Sequence, residues 1–123
     1  MIARNLATAC AVVGLLVNAL PAQAHAFLDH SDPAVGSTVP TTPAVIHLWF
    51  TQQLEAAFSS VTVTDKAGTT VNAEAASVDP GNPSELDVKL KALDPGTYTV
   101  KWHVLSVDTH TTEGDYTFHV GGK

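Results

Sequence analysis

Apolar and polar residues alternate along several short segments of this chain, which is the pattern of β-strands with one buried face. In residues 97–105, for example, every second side chain is apolar and the side chains between them are polar. The alternation predicts a core made of Ile46, Leu48, Phe50, Tyr98, Val100, Trp102, Val104, Tyr116, Phe118 and Val120. It also predicts that His47, His103 and His119 face outward.

Six segments rich in β-branched and aromatic residues are predicted as strands: 44–50, 59–64, 69–75, 85–91, 97–105 and 115–120. Turn residues (Gly, Pro, Asp and Asn) separate them. Residues 25–43 are predicted as a loop, and residues 52–58 as a short helical turn at most. Six or seven short strands in about 100 residues indicate an all-β, immunoglobulin-like β-sandwich. A small closed barrel is the structural alternative.

The first 24 residues have the layout of a secretory signal peptide. Arg4 precedes an apolar run over residues 7–20, and residues 22–24 form an A-x-A cleavage pattern. The run is too short for a comfortable membrane span, and nothing similar follows it. We therefore expect cleavage before His25 and an exported monomer of residues 25–123, without stable membrane insertion.

Charge and sulfur content narrow the possible ligands of residues 25–123. All twelve acidic residues and five of the six basic residues remain after cleavage, a net charge of −7 with neutral histidines. This excess argues against nucleic acid and is compatible with a cation. Met1 and Cys10 are the chain's only methionine and cysteine, and both leave with the leader. The thiolate and thioether ligands that select Cu(I) are therefore absent.

Two features can carry metal chemistry: a histidine at the predicted new N-terminus and the segment SVDTHTTEG at residues 106–114. An N-terminal histidine can chelate through its ring Nδ1 and its α-amine, whose ordinary pKa is about 7.7 to 8.0. Asp108 and His110 are two residues apart, so their side chains can converge. Three nitrogens and one oxygen favour tetragonal Cu(II). We therefore predict a copper site at His25, Asp108 and His110, provided that the fold brings His25 to this segment.

The chain also resembles the CopC family of periplasmic copper-binding proteins. The resemblance is carried by HAFLDHSDPAVGS after the leader, IHLWFTQQLE, LDPGTYTVKWHVLSVDTH and GDYTFHVGG, and it spans nearly all of residues 25–121. It implies a seven-stranded Greek-key sandwich and a Cu(II) site at the positions of His25, Asp108 and His110. It also implies a periplasmic protein that sequesters copper or passes it to a separate CopD-like membrane transporter.

This chain departs from the family pattern in two places. Some family members carry a methionine-rich Cu(I) segment, which a mature chain without methionine cannot form. Some have a glutamate near the copper site in the motif F-S-E, where this sequence has FTQ and places Gln52. We therefore expect one Cu(II) ion per mature chain and no Cu(I) site.

Several alternatives remain open from the sequence. A histidine brace at the N-terminus also occurs in copper mono-oxygenases, and a plain immunoglobulin-like interaction module would need no metal. Catalysis is not supported, because no cysteine nucleophile, G-x-S-x-G or phosphate-binding loop is present. The other histidines (His30, His47, His103 and His119) are interpreted as exposed polar positions, and Glu113 as a solvated carboxylate. Trp49 faces outward, either toward a partner or toward the copper site.

Overall fold

The computed structural model describes residues 25–121; the predicted signal peptide and its cleavage point lie outside the described residues. Eight strands form two four-stranded sheets with the orders β1-β3-β6-β5 and β2-β8-β7-β4. The strands are β1 (Leu28–Asp32), β2 (Thr38–Val39), β3 (Val45–Phe50), β4 (Ser60–Thr64), β5 (Ser77–Asp79), β6 (Asn82–Lys89), β7 (Gly96–Leu105) and β8 (Thr111–Val120). The predicted immunoglobulin-like Greek-key β-sandwich is thus confirmed, with eight strands where six or seven were predicted.

The core lies between the two sheets. The alternation along β3, β7 and β8 correctly predicts all ten of its assigned core side chains, each of which is at most 8% exposed. Aromatic contacts join the two layers, since the ring of Phe50 meets Trp102 edge-on at 5.2 Å. The polar side chains between the core positions face outward, as predicted for His47, His103 and His119.

The predicted strand at residues 69–75 is wrong. This segment crosses from one sheet to the other, and isolated bridges and scattered backbone hydrogen bonds tie it to its neighbours instead of a continuous ladder. Asn72 explains why: its side-chain Oδ1 accepts from the Val63 N–H at 2.8 Å, and its Nδ2 donates to the Val61 carbonyl at 2.9 Å. The side-chain amide therefore takes the place of a regular backbone ladder beside β4. The short strand β5 follows and forms the edge of the first sheet instead.

The prediction of a continuous loop over residues 25–43 is also wrong, because it contains β1 and β2. β1 pairs antiparallel with β3, and β2 pairs parallel with β8. Ser31 is the one buried residue of β1, so the strand shows no alternation of apolar and polar residues. In residues 52–58 the structure has a three-residue 3₁₀ turn, Ala56–Phe58, which agrees with the expected short turn.

Candidate metal centre

Asp108 and His110 lie at the tip of the long β7–β8 hairpin. The two strands pair from Gly96 and Val120 up to Leu105 and Thr111. In the turn that joins them, the Ser106 N–H donates to the His110 carbonyl at 3.0 Å, and the Thr109 N–H donates to the Ser106 carbonyl at 2.9 Å. Thr109 has a positive φ of 75°, which closes the turn tightly. The predicted D-x-H pair is therefore held by a rigid hairpin.

The N-terminal segment is fixed against the same end of the sandwich. Ala26 is fully buried in the core, and its carbonyl accepts a hydrogen bond from the Thr112 hydroxyl. Thr51 binds both neighbours of this residue: its Oγ1 accepts from the Phe27 N–H at 3.0 Å and donates to the His25 carbonyl at 3.3 Å. Because the backbone is held on both sides of Ala26, the side chain of His25 is directed to the hairpin tip.

The structure places the imidazole ring of His25 against that of His110. The two ring centres are 4.7 Å apart and nearly parallel, with an interplanar angle of 20°. His110 Nδ1 lies 3.4 Å from the Asp108 carboxylate. The two rings stack rather than converge, and the ligand atoms of the three residues are not all within 4.8 Å of one another in the described part of the chain. Side-chain rotations would be needed to bring them onto one ion.

Ser106 orients the Asp108 carboxylate at the hairpin tip. Its side chain is completely buried, and its hydroxyl donates to Asp108 Oδ1. This hydrogen bond, with His110 beside it, lowers the pKa of Asp108 below its ordinary value. Asp108 is consequently an anion at neutral pH with one oxygen already oriented. Ser106 is not among the predicted site residues. It meets Asp108 because residues 106–110 fold into a tight turn, with Thr109 at a positive φ and the Ser106 N–H bonded to the His110 carbonyl.

The remaining candidates near the tip differ in position. Gln52 is half-buried and lies between Thr51, which binds the N-terminal segment, and Gln53, whose carbonyl accepts from the Val107 N–H at 3.0 Å. It therefore belongs to the strand end that supports the site. Glu113 is exposed and pairs across the hairpin with His103. His30 points elsewhere: it stacks on Trp49 with ring centres 4.4 Å apart.

A second group of ionisable residues lies on the outward face of the other sheet. His47 Nδ1 is 2.8 Å from Asp87 Oδ1 and 3.0 Å from Glu85 Oε2. Partial burial lowers the pKa of His47, but the two carboxylates outweigh this effect and raise it above its ordinary value. Burial and the neighbouring Glu85 raise the pKa of Asp87 to about 6. Trp49 donates its indole N–H to Glu85 at 2.9 Å, so it serves this group and not the hairpin tip.

Comparison with known proteins decides the family. Residues 28–121 match the CopC domain. The chain belongs to the CopC family. Similar proteins include Protein YobA of Escherichia coli K12, which is 38% identical over 119 residues, 96% of each chain. Copper resistance protein C of Pseudomonas syringae pv. tomato is 38% identical over 113 residues, 87% of this chain and 88% of that protein.

The CopC fold is also seen in a solved relative. The crystal structure of CopC from Methylosinus trichosporium OB3b aligns with a TM-score of 0.73 and 36% identity, over 78% of this chain and 93% of that one. The CopC match includes Asp108 and His110, whereas His25 precedes its first residue by three positions. Within residues 25–121, no helix has the length and hydropathy needed to cross a membrane.

Proposed function

We propose that this CopC-family protein binds one Cu(II) ion at His25, Asp108 and His110, and that it sequesters or delivers copper in the periplasm. The names of its relatives connect the family with copper resistance. The observation that supports the ligand set is the stacking of the His25 and His110 rings at 4.7 Å, although the two residues come from opposite ends of the domain.

The donor chemistry of these three residues suits Cu(II). Two imidazoles and a carboxylate are present, and cleavage before His25 would add an α-amine to make three nitrogens and one oxygen. Residues 25–123 contain no methionine or cysteine, so the soft ligands of a Cu(I) site are missing. Asp108 is poised as an anion by Ser106, and it would neutralise part of the charge of the ion.

The proposed function includes export of the protein and a membrane partner. The A-x-A pattern at residues 22–24 supports a cut before His25, which would free the chelating amine. A separate CopD-like membrane transporter is the partner we propose for delivery. We propose a binding protein and not an enzyme, because the sequence has no G-x-S-x-G or phosphate-binding loop and its one cysteine, Cys10, precedes the predicted cut.

The decisive experiment is a Cu(II) titration of the protein that begins at His25, followed by electron paramagnetic resonance. We expect one tightly bound ion with several equatorial nitrogens. His110→Ala and a variant with one extra residue before His25 should each weaken binding at least about tenfold. His103→Ala, at an exposed histidine on the outer face of β7, is the matched control and should bind as the parent does.

Three results would contradict the proposal. The first is mass spectrometry of the exported protein that finds another N-terminus. The second is unchanged affinity in both His110→Ala and the extended variant, which would favour a metal-free interaction module. The third is copper-dependent oxidation of chitin or cellulose with peroxide, which would favour a histidine-brace oxidase.

A further inference from the structure

The outward face of the first sheet carries a compact set of ligand atoms that the copper site does not use. His47, Glu85 and Asp87 each offer one atom, and these atoms all lie within 4.8 Å of one another. They belong to β3 and β6, the two central strands of the sheet, where His47 is paired directly with Asp87. Strands in the middle of a sheet hold side chains more firmly than loops do.

The charges of this set are unbalanced. Both carboxylates approach the same atom, His47 Nδ1, at 2.8 and 3.0 Å. A single N–H proton cannot be directed well at two oxygens at once, because hydrogen bonds weaken as they bend. Within residues 25–121, His47 is the one cationic group that pairs with Glu85 or Asp87, while Lys89 on the same strand pairs with Glu74. Even a protonated imidazole leaves a net negative charge.

The geometry is close to that of a metal centre. Zinc–nitrogen and zinc–oxygen bonds of about 2.0 to 2.2 Å place the ligands of a tetrahedral ion roughly 3.3 to 3.5 Å apart. The nitrogen–oxygen distances here, 2.8 and 3.0 Å, need to open by about 0.3 to 0.7 Å to reach that range. The carboxylates are well enclosed, with Glu85 11% and Asp87 19% exposed, while the 35% exposure of His47 leaves access for an ion and its waters.

Neighbouring residues orient these ligands from outside. The Trp49 indole N–H donates to the second oxygen of Glu85 at 2.9 Å, which leaves Oε2 directed at His47. The Trp49 ring also stacks on His47 with centres 5.6 Å apart. Such contacts behind the ligands fix their orientation and strengthen metal binding.

We propose that His47, Glu85 and Asp87 bind a second divalent transition-metal ion, with water in the remaining coordination positions. One imidazole and two carboxylates are ligands that Zn(II) accepts, and the ion would replace the shared proton between them. This site lies on the outer face of β3 and β6, separate from the hairpin tip. It would allow one chain to hold two metal ions of different affinity.

The test is a calorimetric titration with Zn(II) of the protein that begins at His25, after one equivalent of Cu(II) has been added. We expect one further equivalent to bind. His47→Gln and Asp87→Asn should each weaken this second binding about tenfold or more. His103→Gln is the matched control, and it should leave the titration unchanged. His110→Ala should retain the Zn(II) binding even though it weakens the copper site, which separates the two proposals.

A measurement on the unsubstituted protein covers the case in which a variant fails to fold. Zn(II) should shift the nitrogen resonance of His47 Nδ1, which NMR of ¹⁵N-labelled histidine resolves. The proposal is overturned if no second equivalent binds, or if the resonance of His47 stays unchanged while those of His25 and His110 move. It is equally overturned if His47→Gln folds normally and binds Zn(II) as tightly as the parent does.

Discussion

The indole ring of Trp102 lies over the α-carbon of Gly114, its partner across the β7–β8 hairpin. A β-carbon added to Gly114 would come within 2.5 Å of Trp102 Cζ2 and within 2.9 Å of Cε2. The glycine is therefore required by close packing against the ring. The same two strands carry Asp108 and His110 at their tip, so this contact also supports the candidate copper site.

We predict that Gly114→Ala destabilises the protein by about 1 to 3 kcal/mol, because the core ring must move. Urea denaturation would measure the change in the free energy of unfolding. Gly81→Ala is the matched control, since its nearest neighbour is the flexible Asp79 side chain at 3.3 Å. In the double variant with Trp102→Phe, the cost of the alanine should fall by more than half. An equal cost with and without Trp102 would refute the packing argument.

The backbone contacts on both sides of Ala26 should control the copper affinity without supplying a ligand. We expect the double variant Thr51→Val and Thr112→Val to fold but to bind Cu(II) about 5- to 30-fold more weakly, because the hydrogen bonds that position His25 are lost. Competition with a copper chelator would measure this. Thr97→Val removes a similar hydrogen bond, to His119 at 2.9 Å, and should leave the affinity unchanged.

Ser106 should tune the carboxylate ligand. Ser106→Ala removes the hydrogen bond that lowers the pKa of Asp108, and it leaves the carboxylate free to rotate. We expect Cu(II) affinity at pH 7 to fall about tenfold. We also expect the affinity to decline at a higher pH than in the parent during acid titration, because Asp108 then protonates more readily. Ser59→Ala is the matched control: Ser59 is also buried, but its hydroxyl accepts from the Leu105 N–H. In this variant the pH dependence of Cu(II) affinity should be that of the parent. The same profile in Ser106→Ala as in the parent would contradict this role.

Tyr116 should make the protein sensitive to alkali. Burial raises its pKa to about 12, from an ordinary value of about 10. The unfolded chain therefore loses this proton first, so stability is fully present below about pH 10 and falls as pH rises toward 12. The loss amounts to about 2 to 3 kcal/mol. Urea unfolding of Tyr116→Phe at pH 8 and at pH 11 should show a smaller decline than the parent.

The same variant distinguishes the two buried tyrosines at neutral pH. The Tyr116 hydroxyl has no hydrogen-bond partner among the described residues, and the neighbouring Ser31 hydroxyl donates to the Pro33 carbonyl instead. Tyr116→Phe should therefore cost little at pH 8. Tyr98→Phe loses a hydrogen bond to the Asp94 carbonyl and should cost about 1 kcal/mol. If Tyr116→Phe costs as much as Tyr98→Phe or more, the Tyr116 hydroxyl does have a hydrogen-bond partner, and the prediction is wrong.

Alternation along the chain was enough to predict the class of fold, the central strands and the inward faces of β3, β7 and β8. These features depend on neighbours within one strand, because side chains two positions apart share a face. Asp108 and His110 were also predicted to lie close together, but the strand argument behind that prediction does not hold, because the two residues meet in a tight turn with Thr109 at a positive φ. The strand β1 was not predicted, because its buried residue is the polar Ser31. Residues 69–75 were wrongly predicted as a strand, because the side chain of Asn72 makes hydrogen bonds that a regular strand would make with its backbone.

Contacts between distant segments were decided only by the tertiary structure. The sequence could name His25 as a candidate, but the buried Ala26 and its hydrogen bonds to Thr51 and Thr112 bring it to His110. The register of β3 against β6 likewise places His47 beside Asp87, and a shift of one residue would turn one of them into the core. Local pattern determines which face a side chain takes, whereas packing and register over the whole chain determine which side chains meet.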